Sequence, residues 1–413
     1  MAAAAQRRTP VAYLPHRHRP RLDAHLLRPR PHRLRGEPEV TVFININVLH
    51  PFPLSNLNRD DLNSPKIAVY GGVERSRVSS QSTKRTTRHQ TEKTLGDKAL
   101  RTRRVPAKVA AELQDRGWTK EEADKAGQAV ALASGVRGLA IAEAGTTTVM
   151  LYLPEAGISA LADLVEKNRD TITKAAAHAE AEAAADKTGS KTKAPKLDKE
   201  TAAEVKAVQA EVRAILASRN ASIAAFGRML ANTPEVTVDG AVSVAHSITT
   251  HATAEQSDFF TAVDDVPGTD NGSAHMGNAP HTSGTFYKHA TVNVGELIRN
   301  LDSDTNTARD FLTSFLREFT VSVPQAKKNS TAFEAPVTAT DTSGYTTPSI
   351  TALTKHVEAV NDFYGTTGLK AAAYSGTAPH LDQATTLGTH IKNLDDLVEH
   401  IVNAALDTQE NAE

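Results

Sequence analysis

The stretch of this sequence richest in chemistry is GGVERSRVSSQSTKRTTR, Gly71 to Arg88. Arg75 and Arg77 stand two residues apart, so a strand would point both guanidinium groups to one face. Ser79, Ser80, Gln81 and Ser82 bring hydroxyls and an amide of the kind that start a helix. Lys84 and Arg88 then fall at i and i+4 on one helical face, with Arg85 beside them. A helix start presents backbone N–H groups and the positive end of a dipole to an anion, and flanking cations close around it. The Walker phosphate-loop pattern is missing, which disfavours a nucleoside triphosphatase and makes a phosphodiester backbone the better ligand.

The charge around this stretch supports that reading. Residues 75–108 carry eleven Lys or Arg against Glu92 and Asp97, a local +9 that calls for a polyanionic partner. Other residues tempt towards metal chemistry: the acid pairs Asp60-Asp61 and Asp264-Asp265, and His246, His251, His275, His281 and His289. Adjacent Asp side chains in extended chain point opposite ways, so a pair is not a cage. There is no HExxH, no GxSxG elbow and no Cys to complete a His-Cys ligand set. Loop acids in Asx-turns and N-caps are the ordinary case. No catalytic residue, no metal and no cofactor are expected.

These side chains need a scaffold, and the sequence supplies one. Val42, Ile44, Ile46 and Val48 alternate with Phe43, Asn45, Asn47 and Leu49, the period-2 signature of a strand with one buried face and one partly polar face. A loop is read from His50 to Lys66, then a short strand and a Gly71-Gly72 turn. From about 93 to 220, Ala, Glu, Lys and Leu dominate, which reads as a helical insertion with a loop at Asp186 to Lys199. Strand signals return at Ala221 to Met229, Ala241 to Ile248 and Thr285 to Val294. Between the last two, Thr253 to Gly284 reads as a protruding hairpin, with Phe259-Phe260 and Thr261 in a segment too polar for its own core. Aromatics on a projecting loop can stack on bases. Phe311, Leu312, Phe315, Leu316 and Phe319 lie at helical spacing and read as core. A second helix is read from Ser349 to about Tyr364, and Asp407 to Glu413 as a frayed acidic end.

Composition sets the outer bounds. The 413 residues can bury a substantial core, and no run of 18 apolar residues occurs to span a membrane. The absence of Cys fits a reducing cytoplasm. The net charge of −1 averages unlike regions: residues 1–39 carry nine Arg against Asp23, Glu37 and Glu39, a formal +6, leaving −7 on the rest. That Pro- and Arg-rich arm has no periodicity and no apolar signal region, and reads as a disordered extension or sequence upstream of a misplaced start.

The segment from Phe43 to Arg88, FININVLHPFPLSNLNRDDLNSPKIAVYGGVERSRVSSQSTKRTTR, resembles the N-terminal signature of the backbone subunit of type I-E CRISPR Cascade complexes, the CasC-type RNA-binding family of the RAMP superfamily. The resemblance resumes at SIAAFGRML, at Asp239 to Asp265 and at Gly272 to Val294. It implies an α+β fold: an RRM- or ferredoxin-like palm (40–92, 221–250 and 285–413), helical fingers (93–220) and a β-hairpin thumb (251–284). It implies a non-enzymatic protein that polymerises head to tail along CRISPR RNA, kinks it at intervals and presents its bases to target DNA, with guide sequence rather than protein reading the target. Large, small, 5′-handle-binding and RNA-processing subunits would be further partners, and no membrane would be involved. By the same resemblance, Arg59, Lys66, Arg75, Arg77, Ser79, Ser80, Gln81, Lys84, Arg85 and Arg88 would hold RNA on the palm and Met229 would wedge between bases. Phe259, Phe260 and Thr261 would form the thumb tip, and Lys191, Lys193, Lys196 and Lys199 on the fingers would touch DNA. The rival is a metal-dependent ribonuclease of the related type III kind, using Asp60 or Asp61.

Overall fold

The computed structural model describes residues 41–136, 138–188, 197–229, 236–263, 275–324, 326, 344–378 and 381–411. The arm over 1–39, the pair Asp264-Asp265 and the lysines Lys191, Lys193 and Lys196 lie outside the described residues.

The alternating segment forms β1 (Phe43–Ser55), with Ile44 buried and Asn45 and Asn47 exposed. It runs further than expected: the strand continues through Pro51 and Pro53 instead of opening into a loop at His50. Two features permit this. β1 is an edge strand, where a missing N–H costs no ladder bond, and Phe52 is buried edge-on against Phe286. The ladder shifts register between Phe52 and Ser55. Next come β2 (Ile67–Tyr70) and β3 (Val73–Val78), joined by Gly71 and Gly72 at φ 66° and 80°, the doubly positive backbone of a tight hairpin turn that only glycine adopts freely. β6 (Val242–Val244) and β7 (Ser247–Thr249) follow one another along β9 (His275–Asn293), giving the antiparallel order β1-β9-β7-β3-β2.

Helices α1 (Ser80–Leu95), α6 (Ala221–Phe226), α7 (Val294–Asn300), α8 (Thr305–Val321) and α10 (Leu394–Glu410) accompany this sheet. Ile44, Val242, Ala290 and Val292 from the strands pack with Leu297, Phe311, Phe315, Val402 and Leu406 in one apolar core. Phe311, Phe315 and Phe319 are fully buried and stack at 5.6 and 5.8 Å, each burial stabilising by about 2–3 kcal/mol. The strand read at Ala221 to Met229 is helix α6 instead. Asn220 caps it by accepting from the Ile223 N–H, and a short run buried on every side carries no period to separate strand from helix. The acidic end read as frayed is helical over Asp407 to Glu410. α10 reaches Glu410, and buried Gln409 accepts from the Val42 N–H at 3.3 Å. Helix α9 (Thr346–Tyr364) begins three residues before Ser349, from which the sequence reads as helical.

The helical insertion holds α2 (Val105–Asp115), α3 (Lys120–Ala133), α4 (Ala156–Thr188) and α5 (Lys199–Ala217) around a second core of Val109, Leu113, Val130, Leu161, Val165, Ile172, Val208 and Val212. The loop between α4 and α5 is shorter than Asp186 to Lys199, because both helices extend into it. Two strands were not foreseen: β4 (Ala99–Thr102) pairs antiparallel with β5 (Leu151–Pro154). Four residues are too few to display alternation. Finally, β8 (Gln256–Ala262) pairs with the first residues of β9 to make the expected hairpin, and every residue of β8 is exposed. The whole is a mixed α+β fold with a helical insertion and a projecting hairpin.

Candidate nucleic-acid interface

The N-terminus of α1 is the organising point. Ser79 caps the helix, its hydroxyl accepting from the Ser82 N–H at 3.3 Å. Its own N–H donates to Asn58 Oδ1 at 2.9 Å, tying the β1–β2 loop to the helix start. The Ser80 N–H donates to His246 Nδ1 at 3.2 Å, and so does Arg77 Nη1 at 3.2 Å. His246, weighed in the sequence as a metal-ligand type, is therefore an acceptor that joins β3 to α1. The helix start is less open to an anion than its sequence implied, since the protein itself satisfies the Ser80 and Ser82 N–H groups.

The cations around this point are the stronger feature. Arg75 donates to the carbonyls of Tyr70 and Thr249, and Arg77 to that of Ile67, so both are oriented by backbone. Arg59 donates to Asn63 Oδ1. Among the described residues, no carboxylate lies within ion-pair distance of Arg59, Lys66, Arg75, Arg77, Lys84 or Arg85. Gln81 and Arg85 are exposed, and burial pulls the half-buried Lys84 ammonium below its usual range. A group of unneutralised cations on one hairpin, one loop and one helix start favours a polyanion.

Arg88 departs from this group. Its Nη1 lies 2.6 Å from Glu92 Oε1 and also donates to the Ala99 carbonyl, with the side chain only 16% exposed. Glu92 Oε1 additionally accepts from Ser222 at 2.6 Å. Arg88 thus ties α1 to β4 and α6, and the geometry gives it a structural role where the sequence reading placed it with the phosphate holders. Asp60 is similarly committed: Oδ1 accepts from the N–H groups of Leu62 and Ser64, both at 2.9 Å, in an Asx-type turn. Among the described residues, no three His, Asp or Glu side chains converge as a metal site would require.

Met229 is 85% exposed, directly after a residue that the sequence reading passed over. Arg228 is buried and donates to five carbonyls: Val236, Tyr152, Leu216, Ser218 and Ala217. Two of these, Leu216 and Ala217, end α5 and Ser218 is its C-cap, so Arg228 satisfies carbonyls left orphaned at the helix end. Gly227 and Gly240 make this joint possible, because a Cβ on either would fall within 3 Å of the other's backbone. Arg228 thereby anchors the turn from which Met229 projects. The signal was an Arg inside the apolar run SIAAFGRML.

The hairpin stands apart from this group. Phe259 is 67% exposed and Phe260 42%, with the Phe260 ring laid over Gly277 across the ladder. Thr261 is exposed beside them, opposite exposed Met276. Lys199 is the exposed first residue of α5. Among the described residues, no helix is long and apolar enough to cross a membrane.

A family model described as CT1975-like protein matches residues 44–332 and 330–400. The chain is also similar to solved chains from two structures described as CRISPR RNA-guided surveillance complexes. One, in a pre-nicking state, shares 37% identity at a TM-score of 0.73, and the other 32% at 0.63. Each alignment covers 88% of this chain and all of the other. No curated protein sequence matches.

Proposed function

The chain belongs to the CT1975-like protein family, and from that premise we propose that it is a Cascade-type subunit, the non-catalytic RNA-coating backbone of a type I-E complex. Copies of the chain would line up along a CRISPR RNA in the cytoplasm, with the other Cascade subunits at its ends and flank. The exposed hairpin residues Phe259, Phe260 and Thr261 would space the bases, and Met229 would wedge between them. Target DNA would then pair with the bases left open, near Lys199 and its neighbouring lysines.

The observation that carries this reading is the set of six cations with no carboxylate partner among the described residues, Arg59, Lys66, Arg75, Arg77, Lys84 and Arg85, gathered around the start of α1. Guanidinium and ammonium groups that leave their charge uncompensated in the folded state are placed for phosphates, and RNA offers a row of them. The double substitution Lys84→Ala with Arg85→Ala tests it. The variant should fold and purify without the small RNA that accompanies the unaltered chain, and unchanged RNA content would refute the reading. Incubation with complementary RNA and Mg²⁺ should leave that RNA intact; cleavage would favour the ribonuclease rival.

A further inference from the structure

The sheet has two faces, and only one is filled by the apolar core. Along β9, Phe286, Lys288, Ala290 and Val292 are buried, whereas Tyr287, His289 and Thr291 between them are partly exposed. On neighbouring β1, Asn45 and Asn47 point to the same side and are exposed. The Tyr287 and His289 rings are parallel to within 3°, with centroids 6.3 Å apart. They are held in that attitude: Tyr287 donates its hydroxyl to Asn47 Oδ1 at 2.7 Å, and His289 Nδ1 donates to the Ile46 carbonyl at 3.1 Å.

Register then links these rings to the cations. Arg77 stands opposite Ile248, Ile248 opposite Tyr287, and Tyr287 opposite Leu49, so one rung crosses four strands. Directly paired residues share a face, so the Arg77 side chain and the Tyr287 ring lie on the same side of the sheet, two strand spacings or roughly 10 Å apart. Arg75 is two residues along β3 on that face. Two parallel, half-exposed rings beside paired guanidinium groups suit a ligand with flat apolar faces and a negative backbone.

We propose that this face is a second RNA subsite, in which Tyr287 and His289 stack unpaired bases while Arg75 and Arg77 hold the adjoining phosphates. The inference rests on the RNA-binding reading above and extends the interface from the start of α1 across the sheet to β1. Asn45 and Asn47 stand beside the rings with amides able to meet base edges.

Stacking and phosphate contacts respond differently to salt, which gives the test its resolving power. Binding of a fluorescein-labelled uridine oligomer to the purified full-length chain is followed by anisotropy across a range of NaCl. Tyr287→Ala with His289→Ala should weaken binding about 10-fold, a loss of the size expected for a stacked base, while leaving the slope of log affinity against log salt unchanged. Tyr287→Phe, which keeps the ring and loses the bond to Asn47, should bind within about 2-fold of the unaltered chain. Unaltered affinity in the double variant overturns the subsite and leaves the wider reading standing. Equal losses in the Phe and Ala variants also overturn it, since the hydroxyl and not the ring would then matter. Failure of the unaltered chain to bind sinks the RNA reading itself, and the subsite with it.

Discussion

Four cations of the helical insertion and six around the start of α1 dispose of their charge in opposite ways. In the insertion, Arg116 meets Glu112, Asp163 and Glu166, Lys120 meets Asp124, Lys125 meets Glu121, and Arg169 meets Glu122 while lying 4.6 Å over the Trp118 ring. The carboxylates around Arg116 hold its guanidinium even more firmly protonated than usual. Around the start of α1, by contrast, Arg59, Lys66, Arg75, Arg77, Lys84 and Arg85 face backbone carbonyls, an amide, the His246 imidazole or solvent. Charge that is neutralised within the fold serves helix packing and solubility. Charge left unneutralised must be compensated by salt or by a ligand, and that difference is the ground on which the surface around α1 is proposed as a site.

The largest effect should come from crossing the two regions in one experiment. Lys84→Ala with Arg85→Ala should lower RNA affinity roughly 100-fold near 0.15 M salt, and reduce the salt slope by about two, one for each phosphate contact. The matching pair in the insertion, Lys120→Ala with Lys125→Ala, removes the same formal charge. It should leave affinity and slope where they were and barely alter stability, since exposed i,i+4 pairs contribute little. Equal losses in the two variants would mean that net charge alone governs binding, and the comparison would collapse.

Much of this contrast was within reach of the sequence. The alternation in β1, the Gly71-Gly72 turn, the Ser79 cap and the Phe311 to Phe319 helix all depend on neighbours within about four residues, so local pattern suffices. The candidate cations were also readable as a cluster. Their availability was not, because it depends on what the distant chain brings: His246 comes from 166 residues away to the Ser80 N–H, and Ser222 from 130 residues away to Glu92. Arg228 looked like one more basic residue, yet five carbonyls from three segments surround it. Helix α6 and strands β4 and β5 failed for a different reason. Each is so short that tertiary burial, not periodicity, decides its conformation.

Arg88 tests whether the contrast follows residues or regions. It sits among the site cations in sequence but is paired like those of the insertion. Arg88→Ala strips the partner from Glu92, whose side chain is 4% exposed, and should cost about 2 kcal/mol in denaturant unfolding. RNA binding by the folded variant should keep the salt slope of the unaltered chain. A slope lower by about one would return Arg88 to the phosphate-holding group.

Lys288, like Arg228, fits neither class, and its effect should be the gentlest because it is spread over pH. It lies buried on the core side of β9, donating to the carbonyls of Phe319, Thr320 and Ser322 at the C-terminal end of α8. Those carbonyls lack helical partners and carry the negative end of the helix dipole, which is why an ammonium is tolerated there at all. Burial nevertheless pushes it from its usual range above 10 down to about 7. Its neighbour His50, stacked on Phe52, is pushed down to about 3 by burial and by Lys288. Both groups bind a proton more weakly folded than unfolded, so both make stability rise with pH. The His50 contribution runs from about 3 to its unfolded value near 6.5, and that of Lys288 from about 7 upward. Between pH 7 and 9.5 the unfolding free energy should therefore climb by up to about 1.4 kcal/mol per pH unit, and Lys288→Met should flatten the climb. A climb that survives in Lys288→Met would assign it to other groups. Lys288 would then be a charged cap of α8 at neutral pH, closer to the paired cations of the insertion than its burial implies.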